Sequence, residues 1–442
     1  MNQNLKLVLW SLSAALGGFL FGFDTAVISG VEQTLQQLWN LDVFEHGLTV
    51  SIALIGTVLG SLLGGIPAQR YGRRFTLLLI AIFYLIASLG TAFAPNWSIF
   101  LVFRFLGGLG VGISSVVAPM YISEIAPPSK RGRLVAMFQF NVVLGILMAY
   151  LSNFLLSEVF TEAWRWMLGI QALPSILFIV TVLLIPESPR WLVLVKKDFQ
   201  TAKTILETID AQNAEKILAQ IQENAQSQGE SKFSLLWQPA YRRPLTLSVL
   251  FAVFNQVSGI NAIIYFAPRI FEMSGLGKDS SLLSSAGIGL VNLLSTLLGI
   301  AIIDKFGRRA LMRWGSIGLV VALVLVAQSF YFGGNSLWVP FYLFLFIGFF
   351  GFSQGAVIWV FIAEIFPNEV RAYGQALGSF THWILAAIIT FTFPYLAETL
   401  GGGITFSFFA LMMVLQGFFA WKIMPETKGT SLENTDITVL AH

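Results

Sequence analysis

Twelve long apolar runs constrain the fold of this chain more than any other feature. They fall near 6–30, 47–69, 75–94, 97–121, 132–156, 164–185, 243–272, 280–303, 310–332, 337–365, 371–397 and 402–424. A helix crossing the hydrocarbon core of a bilayer needs about 20 apolar residues, and each run reaches that length. Only 11% of the 442 residues are charged, against about 25% in an ordinary soluble chain. A single anchor on a soluble enzyme is therefore excluded. So is a β-barrel, whose spans are short alternating segments. The expected fold class is an all-α membrane protein of twelve transmembrane helices, with the Gly and Pro that membrane helices tolerate.

Charge sets the expected orientation. The net charge is +3, from 26 basic and 23 acidic residues, too small to suggest a nucleic-acid partner. With both termini in the cytoplasm, 22 of the 26 Lys and Arg fall inside; Arg165, Arg269 and Lys278 fall outside, and Arg104 lies within a span. Such a bias fixes orientation. Cysteine is absent, which excludes disulfides and thiolate chemistry. The first run, preceded by Lys6 and interrupted by Asp24, does not read as a cleaved leader.

The chain repeats itself. Gln69-Arg70-Tyr71-Gly72-Arg73-Arg74 returns as Asp304-Lys305-Phe306-Gly307-Arg308-Arg309, Ser123-Glu124-Ile125 with Arg131 as Ala363-Glu364-Ile365 with Arg371, and Pro186-Glu187-Ser188 as Pro425-Glu426-Thr427. Three motifs at nearly one offset imply two six-helix halves in parallel repeat, an architecture of transporters that rock around a central site. The expected division is an N-terminal half over 1–186, cytoplasmic linker helices over 187–242, a C-terminal half over 243–425 and a cytoplasmic tail over 426–442. In the linker, Ala202, Ile205, Leu206, Ile209, Ile217, Leu218 and Ile221 recur at helical spacing among polar residues, which predicts short amphipathic helices.

Ionisable residues inside a span are costly and point to function. Asp24 lies six residues from the outer end of the first run and Arg104 seven from the outer end of the fourth. At 1.5 Å per residue both sit roughly 10 Å deep, where opposite charges can pair. Arg stays charged, whereas Asp can titrate. A conformational change that moves the Arg could then capture or release a proton. A static pair locking two helices is the plainer reading.

Several motifs together resemble the sugar porter family of the major facilitator superfamily, along essentially the whole chain. They are Gly22-Phe23-Asp24-Thr25, the two Gly-Arg-Arg loops, Pro119-Met120-Tyr121 leading to Glu124, Pro186-Glu187-Ser188-Pro189-Arg190-Trp191, Gln256-Val257-Ser258-Gly259-Ile260-Asn261 and Pro425-Glu426-Thr427-Lys428-Gly429. The resemblance implies alternating-access transport of a hexose or pentose. An aspartate in span 1 near an arginine in span 4, here Asp24 and Arg104, implies H⁺ symport. A facilitative uniporter is the alternative, since such members usually carry an amide at the aspartate position.

A sugar needs amides, which donate and accept, and aromatic faces to stack on. The resemblance assigns sugar binding to Gln139, Asn255, Gln256, Asn261, Asn292, Trp359, His382 and Trp383, and an outer gate to Tyr265. Asn255 stands where glutamine is usual, and His382 where an amide is common. Ala356 replaces a frequent proline, which bears on whether span 10 breaks there. For the inner gate and ion pairs the family implies Arg73, Arg74, Glu124, Arg131, Glu187, Arg190, Arg308, Arg309, Glu364 and Arg371. Gln69 replaces the aspartate that opens the loop motif, while Asp304 keeps it.

No catalytic residue, metal or cofactor is expected. His-Glu-x-x-His, Gly-x-Ser-x-Gly and P-loop motifs are missing. A sugar sensor would need a long cytoplasmic tail, and a polyol is an alternative solute on the same fold. The expected partners are a small sugar, H⁺ and the lipid bilayer, with no nucleic acid and a monomeric state. A bacterial inner membrane fits the short loops. Because Gln69 removes a charge from the inner lock, Gln69→Asp is expected to bias the carrier outward. Labelling of engineered cysteines from the two sides checks this, and unchanged accessibility would contradict it.

Overall fold

The computed structural model describes residues 3–127, 130–159, 161–227, 233–332, 337–367 and 370–428. Gly429 and the rest of the expected tail to His442 lie outside the described residues. Those residues are helical throughout, with no strand among them. Twelve helices are long and apolar enough to cross a membrane. Numbered in chain order, spans 1–6 are Leu5–Gly30, Val43–Leu63, Arg73–Ala92, Trp97–Ile125, Arg131–Leu156 and Ala163–Leu184. Spans 7–12 are Pro239–Met273, Lys278–Phe306, Arg308–Tyr331, Val339–Glu364, Tyr373–Thr399 and Gly401–Ile423.

Spans 7 and 10 are among those that depart from a continuous α-helix. Span 7, read from sequence as one run, divides into Arg242–Val257 and Ile260–Met273. Gly259 between them has φ +85°, a left-handed conformation that glycine adopts without steric cost. The Phe409 ring packs where its side chain would be. A second irregularity follows at Phe266, φ −126°, just before Pro268, whose ring and missing N–H disrupt helical bonding. Span 10 has no proline at Ala356, yet Gly351–Gly355 immediately before it is a π-helical turn. Such wide turns often sit at functional positions.

The chain divides into two compact units. One comprises Met1–Thr25, Ile55–Ala149 and Glu158–Glu230; the other Ala26–Leu54, Tyr150–Ser157 and Ser231–His442.

Glycines govern helix approach in the first unit. Gly18 and Gly22 of span 1 lie against the carbonyls of Phe138 and Val142 in span 5, and Gly145 returns the contact against Phe19. Gly56 and Gly60 of span 2 face the carbonyls of Phe105 and Leu109 in span 4. Small residues let membrane helices pack backbone to backbone. The linker forms two helices, Phe199–Asp210 and Ala214–Ser227. Their apolar stripe, including Ala202, Ile205, Leu218 and Ile221, packs around Trp191 and Trp10. Asp198 caps the first helix by accepting the Thr201 N–H at 3.0 Å. That hydrogen bond holds its carboxyl below the usual range.

In the second unit Phe251 stacks on Phe361 at 5.1 Å, within a core that includes Phe366 and Phe419. The ends of spans 1, 2 and 5 belong here too. Tyr150 donates to the Ile264 carbonyl at 2.6 Å and Asn153 to the Val27 carbonyl at 3.0 Å. Gly47 lies against the Phe391 carbonyl.

A methyl group at Gly22 would overlap the Val142 carbonyl. Overpacking of this kind costs about 1–3 kcal/mol. Gly22→Ala is expected to lower the thermal unfolding midpoint in detergent, and an unchanged midpoint would contradict the close approach of spans 1 and 5.

Candidate functional site

Asp24 and Arg104 meet in the first unit. Arg104 Nη1 donates to Asp24 Oδ1 at 2.8 Å, and the side chains are 2% and 6% exposed for Arg104 and Asp24 respectively. Arg104 Nη2 also approaches the Asp24 backbone carbonyl at 3.5 Å. Gln171 at the bend in span 6 reaches the same carboxyl. Gly107 on span 4 leaves room beside Oδ1. The charges sit where removing one would strand the other, since a lone buried charge is far more costly than a pair. Gln139 of span 5 is half-buried in this unit.

A polar and aromatic cluster forms in the second unit around the break in span 7. Gln256 Nε2 donates to Asn255 Oδ1 at 3.0 Å and lies 3.1 Å and 3.2 Å from the ring nitrogens of His382 in span 11. Its Oε1 accepts from Asn261 Nδ2 at 2.5 Å. The break thus brings Asn261, from the second segment, onto Gln256 at the end of the first. Asn255 is 2% exposed and its Nδ2 has no hydrogen-bond partner, a buried donor that needs an acceptor. Trp359 and Trp383 flank His382, with ring centres 4.9 Å and 4.8 Å away. Trp359 is 37% exposed, so part of its apolar face is open. Asn292 is buried on span 8, its Oδ1 3.4 Å from Thr296 Oγ1. Tyr265 is also buried, four residues beyond Asn261.

The repeated motifs fold into two near-copies. In the first unit Arg73 Nε and Nη2 grip Glu124, both at 2.9 Å. Ser188 Oγ donates to Glu124 at 2.6 Å, and Glu187 accepts the backbone N–H groups of Arg73 at 2.9 Å and Arg74 at 3.1 Å. In the second unit Arg308 grips Glu364 at 3.0 Å and 2.7 Å, with Thr427 on Glu364 at 2.6 Å. Glu426 accepts from Arg308 at 2.9 Å and Arg309 at 3.0 Å. Gly72 and Gly307, at φ +100° and +89°, open the helices whose first N–H groups these glutamates meet. A carboxylate suits a helix N-terminus. Burial pushes the Glu187 carboxyl above its ordinary value, opposed by the N–H groups of Ser188, Arg74 and Arg73.

One difference between the copies falls at the arginine grip. Arg73 Nη1 takes the Ala68 carbonyl at 3.0 Å; Arg308 Nη1 takes the equivalent Ile303 carbonyl at 3.4 Å and the Asp304 carboxylate at 2.9 Å as well. That is the consequence of Gln69. Arg131 and Arg190 are exposed, and Arg371 Nε donates to the Phe366 carbonyl at 3.0 Å. Glu124 and Glu364 are each gripped by an arginine of the Gly-Arg-Arg loops.

Residues 10–438 match the family described as "Sugar (and other) transporter". The chain is 35% identical to the arabinose-proton symporter of Bacillus subtilis, covering 97% of this chain and 94% of that one. It is 37% identical to the glucose transporter GlcP of Staphylococcus epidermidis, covering 99% and 97%. The structure resembles a partially occluded inward-open conformation of the xylose transporter XylE from E. coli, with TM-score 0.85 and 30% identity, covering 96% of this chain and 99% of that one. The chain belongs to the sugar transporter family.

This transporter is an integral, multi-pass membrane protein of major facilitator fold, not an enzyme. Among its described residues no group of His, Asp and Glu is arranged to hold a metal ion. It also carries a charge cluster that sequence reasoning missed. Glu32 and His46 are wholly buried, with His46 Nε2 2.6 Å from Glu32 Oε2. Arg269, at the end of span 7, donates to Glu32 at 3.3 Å, to Gln36 at 3.2 Å and to Glu398 of span 11 at 2.7 Å. Four segments distant in sequence supply these groups, and no local motif announces them. Breaking a buried pair by removing one partner costs about 3–5 kcal/mol. Arg269→Gln is therefore expected to lower the detergent unfolding midpoint substantially, and a wild-type midpoint would show that Glu32 does not depend on Arg269.

Proposed function

We propose that the transporter is an H⁺-coupled symporter of a monosaccharide, a hexose or pentose, working by alternating access. The observation that carries this reading is the buried pair of Asp24, which can take up a proton, and Arg104, which cannot release one. A carrier whose substrate has no charge has no need of this pair for binding. Relatives named as an arabinose-proton symporter and a D-xylose-proton symporter support the reading.

Sugar-binding roles are assigned to Gln139 of the first unit and to Asn255, Gln256, Asn261, Asn292, Trp359, His382 and Trp383 of the second. Their chemistry suits a polyhydroxylated ring. Asn255 Nδ2 awaits an acceptor, and each sugar hydroxyl can accept and donate. Trp359 supplies an exposed apolar face. Gln256 is already committed to three side chains, so sugar binding rearranges this network rather than filling an unused one.

The Lys and Arg bias supports a cytoplasmic side for both termini, and the bacterial relatives support a bacterial membrane. The Glu32–His46–Arg269–Glu398 cluster then lies on the outer side and, with Tyr265, holds the outer ends of spans 1, 2, 7 and 11 together. The two Gly-Arg-Arg clusters lie on the inner side. Each weakly held charge group contributes little alone, but a two-state carrier changes population with a few kcal/mol.

The test is uptake of a radiolabelled sugar panel into proteoliposomes with and without an imposed pH gradient. Wild-type protein is expected to accumulate at least one sugar under an inward proton gradient. Asp24→Asn is expected to lose accumulation while retaining counterflow exchange. Concentrative uptake by Asp24→Asn would overturn the coupling role of Asp24, and facilitative entry alone by the wild type would leave a uniporter.

A further inference from the structure

Span 7 carries a carbonyl that its own helix cannot satisfy. Pro268 has no N–H, so the Ile264 carbonyl four residues earlier loses its helical donor. The backbone is irregular between them, at Phe266. The missing donor comes from another span. Tyr150 Oη of span 5 donates to the Ile264 carbonyl at 2.6 Å. Both residues lie in the second unit and both are buried, so the bond is made in the interior, where an unmade one is costly.

The two partners differ in how they are held. Three residues beyond Tyr150, on the same face of span 5, Asn153 Nδ2 donates to the Val27 carbonyl at 3.0 Å. There the α-helix of span 1 gives way to the tighter turn Ile28–Gly30. Gly30 packs against the Asn153 side chain with no room for a methyl group. The outer end of span 5 is thus fastened to span 1. Ile264, by contrast, lies toward the middle of Ile260–Met273, the segment set off by the left-handed Gly259. Side chains tie that segment near its ends, Asn261 to Gln256 and Arg269 to Glu32 and Glu398. Tyr150 holds it between them, by its backbone. Tyr150 belongs to the first of the two repeats read in the sequence and Ile264 to the second. A carrier whose repeats rock apart must break this bond to open the side on which it lies.

We propose that Tyr150 is a positioning residue of the outer gate: its hydroxyl supplies the donor that Pro268 withholds, and so clasps the segment Ile260–Met273 to span 5 while the outer side is closed. When that side opens, water enters and serves both groups. The clasp therefore favours the closed side by the net worth of one hydrogen bond, without blocking opening. The proline is what gives the hydroxyl its weight, because an ordinary helical carbonyl already has a donor and gains less from a second. This role rests on alternating access and on the orientation given above, and not on proton coupling.

The chain has no cysteine, so Asn261→Cys introduces a single thiol at a half-buried position of the amide cluster. Its rate of labelling by a membrane-impermeant maleimide, added outside to intact cells, reads the outward-open fraction. Adding Tyr150→Phe, which deletes one oxygen and keeps the ring, is expected to raise that rate about tenfold. Pro268→Ala restores an N–H to the helix, and in that background Tyr150→Phe is expected to change the rate by less than about twofold. A tyrosine that acted only by packing would move the rate equally in both backgrounds. An unchanged rate for Tyr150→Phe, or equal rises in the two backgrounds, overturns the clasp. Should Tyr150→Phe not reach the membrane, Pro268→Ala alone decides. Its new N–H serves Ile264 in both states, the clasp adds less, and outside labelling is expected to rise; no rise overturns the clasp. If the wild-type chain moves sugar into proteoliposomes while these rates stay unchanged, only the clasp fails. If it moves none, alternating access fails first.

Discussion

A chain that spends most of its length in hydrocarbon must satisfy its polar groups from within, and everything else in this structure follows from that requirement. Water is not available to repay a misplaced charge. Asp24 and Arg104 can be buried only as a pair, and Glu32 only because His46 and Arg269 converge on it. Gln256 is buried because Asn255, Asn261 and His382 take up its amide. Each set joins segments far apart in sequence. Each is therefore a constraint on how the spans pack, as well as a candidate for function. A polar group left over beside such a cluster, as Asn255 Nδ2 is, calls for an acceptor.

The repeated loop shows how closely one solution can be reproduced. A positive-φ glycine starts a helix, a glutamate from a later segment caps its first N–H groups, and the following arginine grips a second glutamate that a Ser or Thr hydroxyl also holds. Glycine is required there for two reasons. Its backbone angle is left-handed, and in both copies a side chain would strike the capping carboxylate. Against this near-identity the exchange of Asp304 for Gln69 stands out. Both arginines reach an equivalent backbone carbonyl, and the second has a carboxylate acceptor besides. The two clusters therefore differ by one charge-assisted hydrogen bond, the stronger kind, and an alternating carrier is sensitive to such a difference.

The features legible in sequence were those with local signatures. Long apolar runs define spans because length and composition alone decide whether a segment can cross a bilayer, and all twelve are present. The matched depths of Asp24 and Arg104 could be counted along their helices, and the two side chains meet. The π-helical turn before Ala356 and the break at Gly259 were not legible. Glycine is common throughout the spans, and Gly259 is set apart by its left-handed φ of +85°, which only the folded backbone shows. The Glu32 cluster was missed for a different reason. Glu32, His46, Arg269 and Glu398 sit at the edges of separate spans, where isolated charges are ordinary. Only their convergence makes them notable, and convergence is a property of the fold.

The break in span 7 links two of these sets mechanically. Asn261, Tyr265 and Arg269 recur every four residues on the segment Ile260–Met273, a spacing that places them along one side of a helix. Asn261 at one end contacts Gln256 in the amide cluster, and Arg269 toward the other end binds Glu32 and Glu398. Tyr265 lies between them, and the Ile264 carbonyl beside it accepts from Tyr150. The segment is pivoted at Gly259 and irregular at Phe266, so it need not move as part of the longer span. A tilt large enough to bring Asn261 onto a sugar would also displace Arg269 from its carboxylates, unless the bend at Phe266 absorbs it. On the proposed assignment of Asn261 to sugar binding, the amide cluster and the Glu32 cluster then draw on the same short helix.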